Sequence, residues 1–393
     1  MKRARFARRG GLTRDAERLT RLATGLALSA SRVETLFWQR DLAELVQKLL
    51  DAGNEDALNA ALDQLWRADA RTYDALADFI EAGAESMSIL INDQPHDVLL
   101  FAAPVLAWSR FSIQAGSIAI PALQNLHTQL SAHVLAADTR LTLVNYLFSP
   151  DQLPRSYTDT HQLVGVLANC LTQGLDLSID PAQLETTLNF LSDTRYVLGA
   201  LAAPRGAPMF RWQEEDMQGS ARETVLTQWR TQGGAILQPM LPACALEVLL
   251  PNAYHHVCRE ADRASRPYSL RASVAFLEAT LSIKPDGLRA VIAPFYDQQL
   301  EEYRIGFTQT DSNEVMHGVV WAMLGPEDEN TDTVEEIERV LRGCGLDDIL
   351  VIDHRMPMEY CDDCGAPMYP DPEGQPVHAE LPEEAASQQV HLH

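Results

Sequence analysis

Cys361 and Cys364, spaced Cys-x-x-Cys and followed by Gly365, have the most definite chemistry in this chain. Two thiolates at this spacing can grip one tetrahedral zinc ion, but a structural site takes four ligands and no second such pair occurs. The nearest histidines are His354, seven residues upstream of Cys361, and His378, fourteen downstream of Cys364. These four residues are the expected metal site. Zinc is the expected cofactor, structural rather than catalytic, because four protein ligands leave no open position. The other reading is a redox dithiol, which needs its first sulfur at a helix N-terminus. Pro367, Pro370 and Pro372 follow too closely for a helix to start there. Asp362 and Asp363 disfavour a free thiolate, a penalty that a bound cation reverses.

A second group is Tyr254-His255-His256-Val257-Cys258-Arg259. On a helix, His255, Cys258 and Arg259 share a face, which could make a nucleophile site of the Cys/His kind. No third, orienting residue is identifiable, and adjacent histidines also occur on ordinary half-buried helices. Asp353-His354, at the end of an apolar run, is a carboxylate–imidazole pair, although strand-end histidines often only satisfy turns. His255, Cys258 and Asp353 are therefore the catalytic candidates. Met209-Phe210-Arg211-Trp212 could stack a planar ligand or cap a core edge. The common nucleotide, metalloprotease and hydrolase motifs are missing.

The elements that must carry these groups are of two kinds. Residues 13–84 repeat apolar positions every three or four residues, as in Leu42, Leu45, Val46 and Leu49, and read as an all-helical region. Beyond 85, short apolar runs alternate with helical stretches, the pattern of mixed α/β structure. An offset of about 147 carries Leu123, Leu130 and Val134 onto Leu270, Leu277 and Leu281, and Phe148 and Gln152 onto Phe295 and Gln299. More loosely, the helix opening at His161 resembles a segment around Val315–Gly318. The expected fold is α+β: the helical region, then two similar ferredoxin-like units with helices on one face of each sheet, as an internal duplication would give. The expected divisions are a disordered basic arm at 1–12, the helical region at 13–84, a first unit at 85–216 and a connecting helix or linker at 217–243. A second unit at 244–358, the Cys-x-x-Cys knuckle at 359–380 and a disordered acidic tail at 381–393 complete the chain. A cleft between the units is the default ligand site.

At 393 residues the chain exceeds what one hydrophobic core organises. Its net charge of −24 is unevenly spread: residues 1–21 hold eight basic side chains against Asp15 and Glu17, a local +6 that leaves −30 for the rest. So acidic a body repels phosphate backbones, which confines nucleic-acid contact to the arm; the arm could equally meet an anionic membrane or the body itself. Six cysteines, four of them widely separated, make no disulfide framework and point to a reducing cytoplasm. Leu22–Ser31 after basic residues imitates a signal peptide, but Leu19, Leu22, Ala23 and Leu26 fit one helical stripe behind an N-cap at Thr13. No run of 18 apolar residues suggests a membrane span.

Asp15-Ala-Glu-Arg-Leu19, Phe148-Ser-Pro-Asp-Gln-Leu-Pro154 and Glu359-Tyr-Cys-Asp-Asp-Cys-Gly-Ala-Pro367 together resemble an uncharacterised family of bacterial cytoplasmic proteins, catalogued as a domain of unknown function spanning nearly the whole chain. The resemblance implies no activity or site residues. The reading that follows is a non-catalytic binding or assembly protein with a structural zinc knuckle, an unknown protein or small-molecule partner, and homo-oligomerisation as an option. Its alternatives are an enzyme acting in the inter-unit cleft and nucleic-acid contact through the arm.

Overall fold

The computed structural model describes residues 12–187, 190–214, 221–325 and 327–382. The expected arm, apart from Leu12, and the expected tail beyond Pro382 lie outside the described residues, as do 217–220 of the connection.

Four helices, α1 (Arg14–Ala27), α2 (Arg32–Asp51), α3 (Glu55–Ala68) and α4 (Ala70–Glu85), form the N-terminal region. Each starts at a polar cap: the side chains of Thr13, Ser31, Asn54 and Asp69 accept the N–H groups of Ala16, Glu34, Ala57 and Arg71. The stripe seen in α1 packs Leu19, Leu22 and Ala23 against Leu42, Leu45 and Leu49 of α2 and Leu58 and Leu62 of α3, so its apolar residues belong to a core. Among the described residues no helix is long and apolar enough to cross a membrane.

The first sheet contains β1 (Ser86–Ile91), β2 (Gln94–Trp108), β3 (Gly116–Ser117), β4 (Arg140–Phe148) and β5 (Ser192–Pro204), in the order β1-β2-β5-β4-β3, all antiparallel. β6 (Ala245–Val248) and β7 (Asn252–Ala253) continue the edge of β2 beyond β1. Successive strand residues point to opposite faces, and both faces are covered. Phe101, Val105 and Leu201 meet α5 (Ile120–His133) and α7 (Ala221–Leu237). Leu100, Ala102 and Leu198 meet α6 (Tyr157–Gln173) and the start of α8 (Tyr254–Leu281).

Helix α8, 28 residues long, joins the two halves. Tyr254, Val257 and Ala261 pack on the first sheet; Leu270, Val274 and Leu277 pack on the second, and Pro267 lies between the two sets. The second sheet, β8 (Leu288–Tyr296), β9 (Leu300–Gln309), β10 (His317–Ala322) and β11 (Asp348–Val351), has the order β10-β9-β8-β11. β8, β9 and β10 form an antiparallel meander; α9 (Thr333–Gly343) crosses over to β11, which pairs parallel with β8, as does β12 (Met356–Pro357). A two-stranded hairpin, β13 (Tyr369–Pro370) and β14 (Pro376–Val377), ends the described fold.

The fold is α+β, but the two units are not ferredoxin-like copies. The shared offset matches α5 to the second half of α8 and β4 to β8, and stops there. After β4 the chain enters a Ser149-Pro150 turn that starts a 3-10 helix and leads to α6; after β8 it folds back at Asp297–Gln299 into β9. The strand orders consequently differ, and the first sheet carries helices on both faces rather than one. His161 lies in α6, whereas the segment matched to it is β10: His317, Val319 and Trp321 are buried alternately, a period of two that no helix adopts.

Candidate metal centre

Strand alternation prepares the floor of this site. Tyr303, Ile305 and Phe307 of β9 face α8 and α9, so Arg304 and Gly306 face the other way, with Gly318 of β10 paired opposite Gly306. A Cβ on Gly306 would fall 2.3 Å from the carbonyl oxygen of Pro370, and one on Gly318 would fall 2.3 Å from the ring of Tyr369. The C-terminal hairpin lies directly on these two glycines. Phe295, Ala293 and Met356 extend the same apolar face.

Arg304 fastens the segment to the floor. Its side chain is fully buried; Nε donates to Glu302 Oε1 at 2.6 Å, and Nη1 donates to the carbonyls of Glu359 (2.6 Å) and Met368 (2.7 Å). The guanidinium lies 4.2 Å from the Phe295 ring centroid and 5.0 Å from that of Tyr360. It thus grips the chain on both sides of the cysteine pair.

Between those anchors the loop closes on itself. Gly365 N–H donates to the Cys361 carbonyl, and Cys361 N–H to that of Ala366, both at 2.8 Å, with Gly365 at φ +72°, where a side chain is disfavoured. The backbone N–H groups of Cys364 and Asp363 point at the Cys361 sulfur and lower its pKa. Farther on, Asp371 Oδ1 accepts the N–H groups of Glu373 and Gln375, and the turn at Gly374 returns the chain through β14 to His378.

This return brings together Cys361, Cys364 and His378, whose donor atoms all lie within 4.8 Å of one another. Cys364 Sγ is 3.3 Å from His378 Nε2. The other ring nitrogen, Nδ1, lies 3.4 Å from Glu380 Oε1, and Glu380 N–H donates to the Val315 carbonyl. A carboxylate on the far nitrogen of a histidine is the arrangement that orients a metal-binding imidazole. His354, expected as a ligand, is outside the group. Its Nε2 is 3.2 Å from the Gly374 carbonyl and its ring packs against that glycine, so it holds the hairpin turn. Among the described residues no fourth His, Cys, Asp or Glu joins the three. Arg304, Gly306, Gly318 and Glu380 escaped the sequence reading. The glycines did leave a signal, since Gly inside a strand marks close approach of another backbone.

The catalytic candidates lie elsewhere. His255 and Cys258 occupy the first turns of α8, on the first sheet and against α4. His255 N–H donates to Glu85 Oε2 at 2.8 Å, and its ring sits 5.0 Å from that of Tyr254 and 5.9 Å from that of Tyr157. Burial lowers the His255 pKa to about 4 and raises that of Glu85 to about 7. The Cys258 thiol is pushed far up by burial and by the carboxylates of Asp262 and Glu85, the reverse of what a nucleophile needs. Arg259 pairs with Glu81. Asp353 is exposed after β11 of the second sheet, and among the described residues no hydrogen bond or ion pair links it to His255 or Cys258. A groove of about 510 Å³, lined by Arg222, Leu226, Leu249, Leu250 and Arg263, opens between α7 and the first half of α8, alongside the first sheet.

The molecule is thus an α+β protein with a Cys/Cys/His donor cluster laid over its second sheet. Residues 4–392 match the model of a family described as "Protein of unknown function (DUF2863)", and the chain belongs to that family. No curated protein and no solved structure matches it.

Proposed function

We propose that this is a non-catalytic binding or assembly protein whose C-terminal segment is closed over the second sheet by a structural zinc ion. The reading rests on the convergence of Cys361, Cys364 and His378 in the presence of Glu380. Two thiolates and an imidazole suit zinc, whereas calcium and magnesium require oxygen donors. The ion would tie the loop at 361–364 to the chain leaving the hairpin at 378, a closure that backbone hydrogen bonds and Arg304 leave unmade. Metal analysis of protein prepared without a histidine tag is the test. About one zinc per chain, lost in Cys361→Ser, is expected; absent zinc and freely titrating thiols would remove the reading.

Assembly has its own support at the α1–α2 turn. Leu28, Val33, Leu36 and Phe37 are exposed, and the last three line one face of α2; Val33 is 80% exposed. The occupant we assign is a second copy. Residues 28–41 hold two arginines and two carboxylates, so on a chain of net charge −24 copies meet here with little repulsion. All cysteines among the described residues are unpaired, which supports a cytoplasmic location. The enzyme alternative has weaker support, because its candidate thiol is held protonated and apart from Asp353.

A further inference from the structure

We infer that the zinc ion keeps one coordination position open to solvent, and that this position takes a neutral imidazole in preference to an anion. The inference rests on the zinc reading and changes its character. Four protein ligands would bury the metal's chemistry; three leave a position that water holds and a stronger donor can displace.

Three observations carry it. Among the described residues the donor group stops at Cys361, Cys364 and His378, and His354, the residue best placed in sequence to complete it, is engaged at the Gly374 carbonyl. The group lies at the surface: Cys364 is exposed, and the His378 side chain retains 34% of its accessible area. The surroundings choose the sign of the ligand. Two thiolates already cancel the charge of Zn²⁺, and Asp362, Asp363 and Glu380 stand exposed beside the group. An anionic fourth ligand would add negative charge among three carboxylates, whereas an imidazole adds none and is a good zinc donor. Glu380 Oε1 lies 3.4 Å from Nδ1 of His378, the nitrogen facing away from the cysteines. The open position is a binding contact for an exposed histidine side chain.

The imidazole we assign comes from another molecule, and His391 and His393 of the same chain are the competing source. The full chain, depleted of metal by chelation and reloaded with Co²⁺, distinguishes these cases. Thiolate-to-cobalt charge transfer on loading is expected; if none appears, the zinc reading itself fails and the inference goes with it. With the band present, free imidazole should shift the cobalt d–d bands to saturation while azide at equal concentration leaves them in place. The same response is expected of the His391→Ala/His393→Ala variant. Charge transfer with no imidazole response would overturn the inference and leave the zinc reading intact. An equal response to azide would overturn the stated preference. A response confined to the double variant would show that the chain's own tail fills the position, and would overturn the open site.

Discussion

Arg304 shows how one residue can decide whether a segment is part of the fold. Its guanidinium satisfies a carboxylate and two backbone carbonyls in a place water does not reach. In Arg304→Met the carbonyls of Glu359 and Met368 and the charge of Glu302 lose their partner. Removing one side of a buried ionic contact costs about 3–5 kcal/mol, and a fall of that order in the unfolding free energy extrapolated from urea titration is expected. Arg304→Lys should recover only part of it, because an ammonium cannot span both carbonyls as the planar fork does. Both cysteines and His378 were legible from type and spacing as residues that could hold a metal. Arg304 was not, since nothing in its neighbourhood in sequence reports that residues 55 and 64 positions away need a donor.

Among the elements, β9 and β10 do the positioning. Their alternation sends Tyr303, Ile305 and Phe307 to the helices and leaves Arg304 and Gly306 for the C-terminal segment. Gly318→Ala places a methyl group against the Tyr369 ring; overpacking of this kind costs about 1–3 kcal/mol. The expected outcome is faster proteolysis within 359–380 while the first sheet stays intact, read by mass mapping of the fragments. The exposed face of α2 gives a separate expectation. Leu36→Glu with Phe37→Glu should leave the helix and its buried face in place and convert a dimer to a monomer in light scattering; a monomeric parent chain would end the assembly proposal. Helices with regular periods and polar caps, such as α1 behind Thr13, were legible from sequence, as was the helix–strand pair repeated at the shared offset. What followed each pair was not, because a turn at Ser149-Pro150 and one at Asp297–Gln299 send similar strands in different directions.

Across the whole molecule, buried titratable groups set the response to pH. Burial lowers His255 and His317 to about 4; His317, whose Nε2 lies 3.0 Å from Ser273 Oγ, has α8 and β9 around it. In each case the unfolded chain takes up a proton as pH falls below 6.5 and the folded chain does not until about 4, so stability is lost across that window, by roughly 3 kcal/mol per histidine. Glu85 works the other way: its pKa, raised to about 7, makes the folded state gain protons first, so stability rises as pH falls from 7 toward 4.5. Burial raises Asp193 and Asp262 as well, so these carboxylates and Glu85 oppose the loss that the two histidines cause. His317→Gln should remove that histidine's own share, roughly 3 kcal/mol, of the stability lost between pH 6.5 and 4, measured as the unfolding free energy in urea against pH. By itself the sequence determined the helical beginning, the mixed α/β remainder and a cysteine pair at a spacing that could hold a metal, because caps, periods and a four-residue turn are written within a few neighbouring residues. Only the tertiary structure decided the strand orders, the helix shared by two sheets, the grouping of His378 rather than His354 with the two cysteines, and the glycine floor beneath the hairpin. Those depend on contacts across tens of residues, where strand pairing and packing choose among partners that local pattern leaves equivalent.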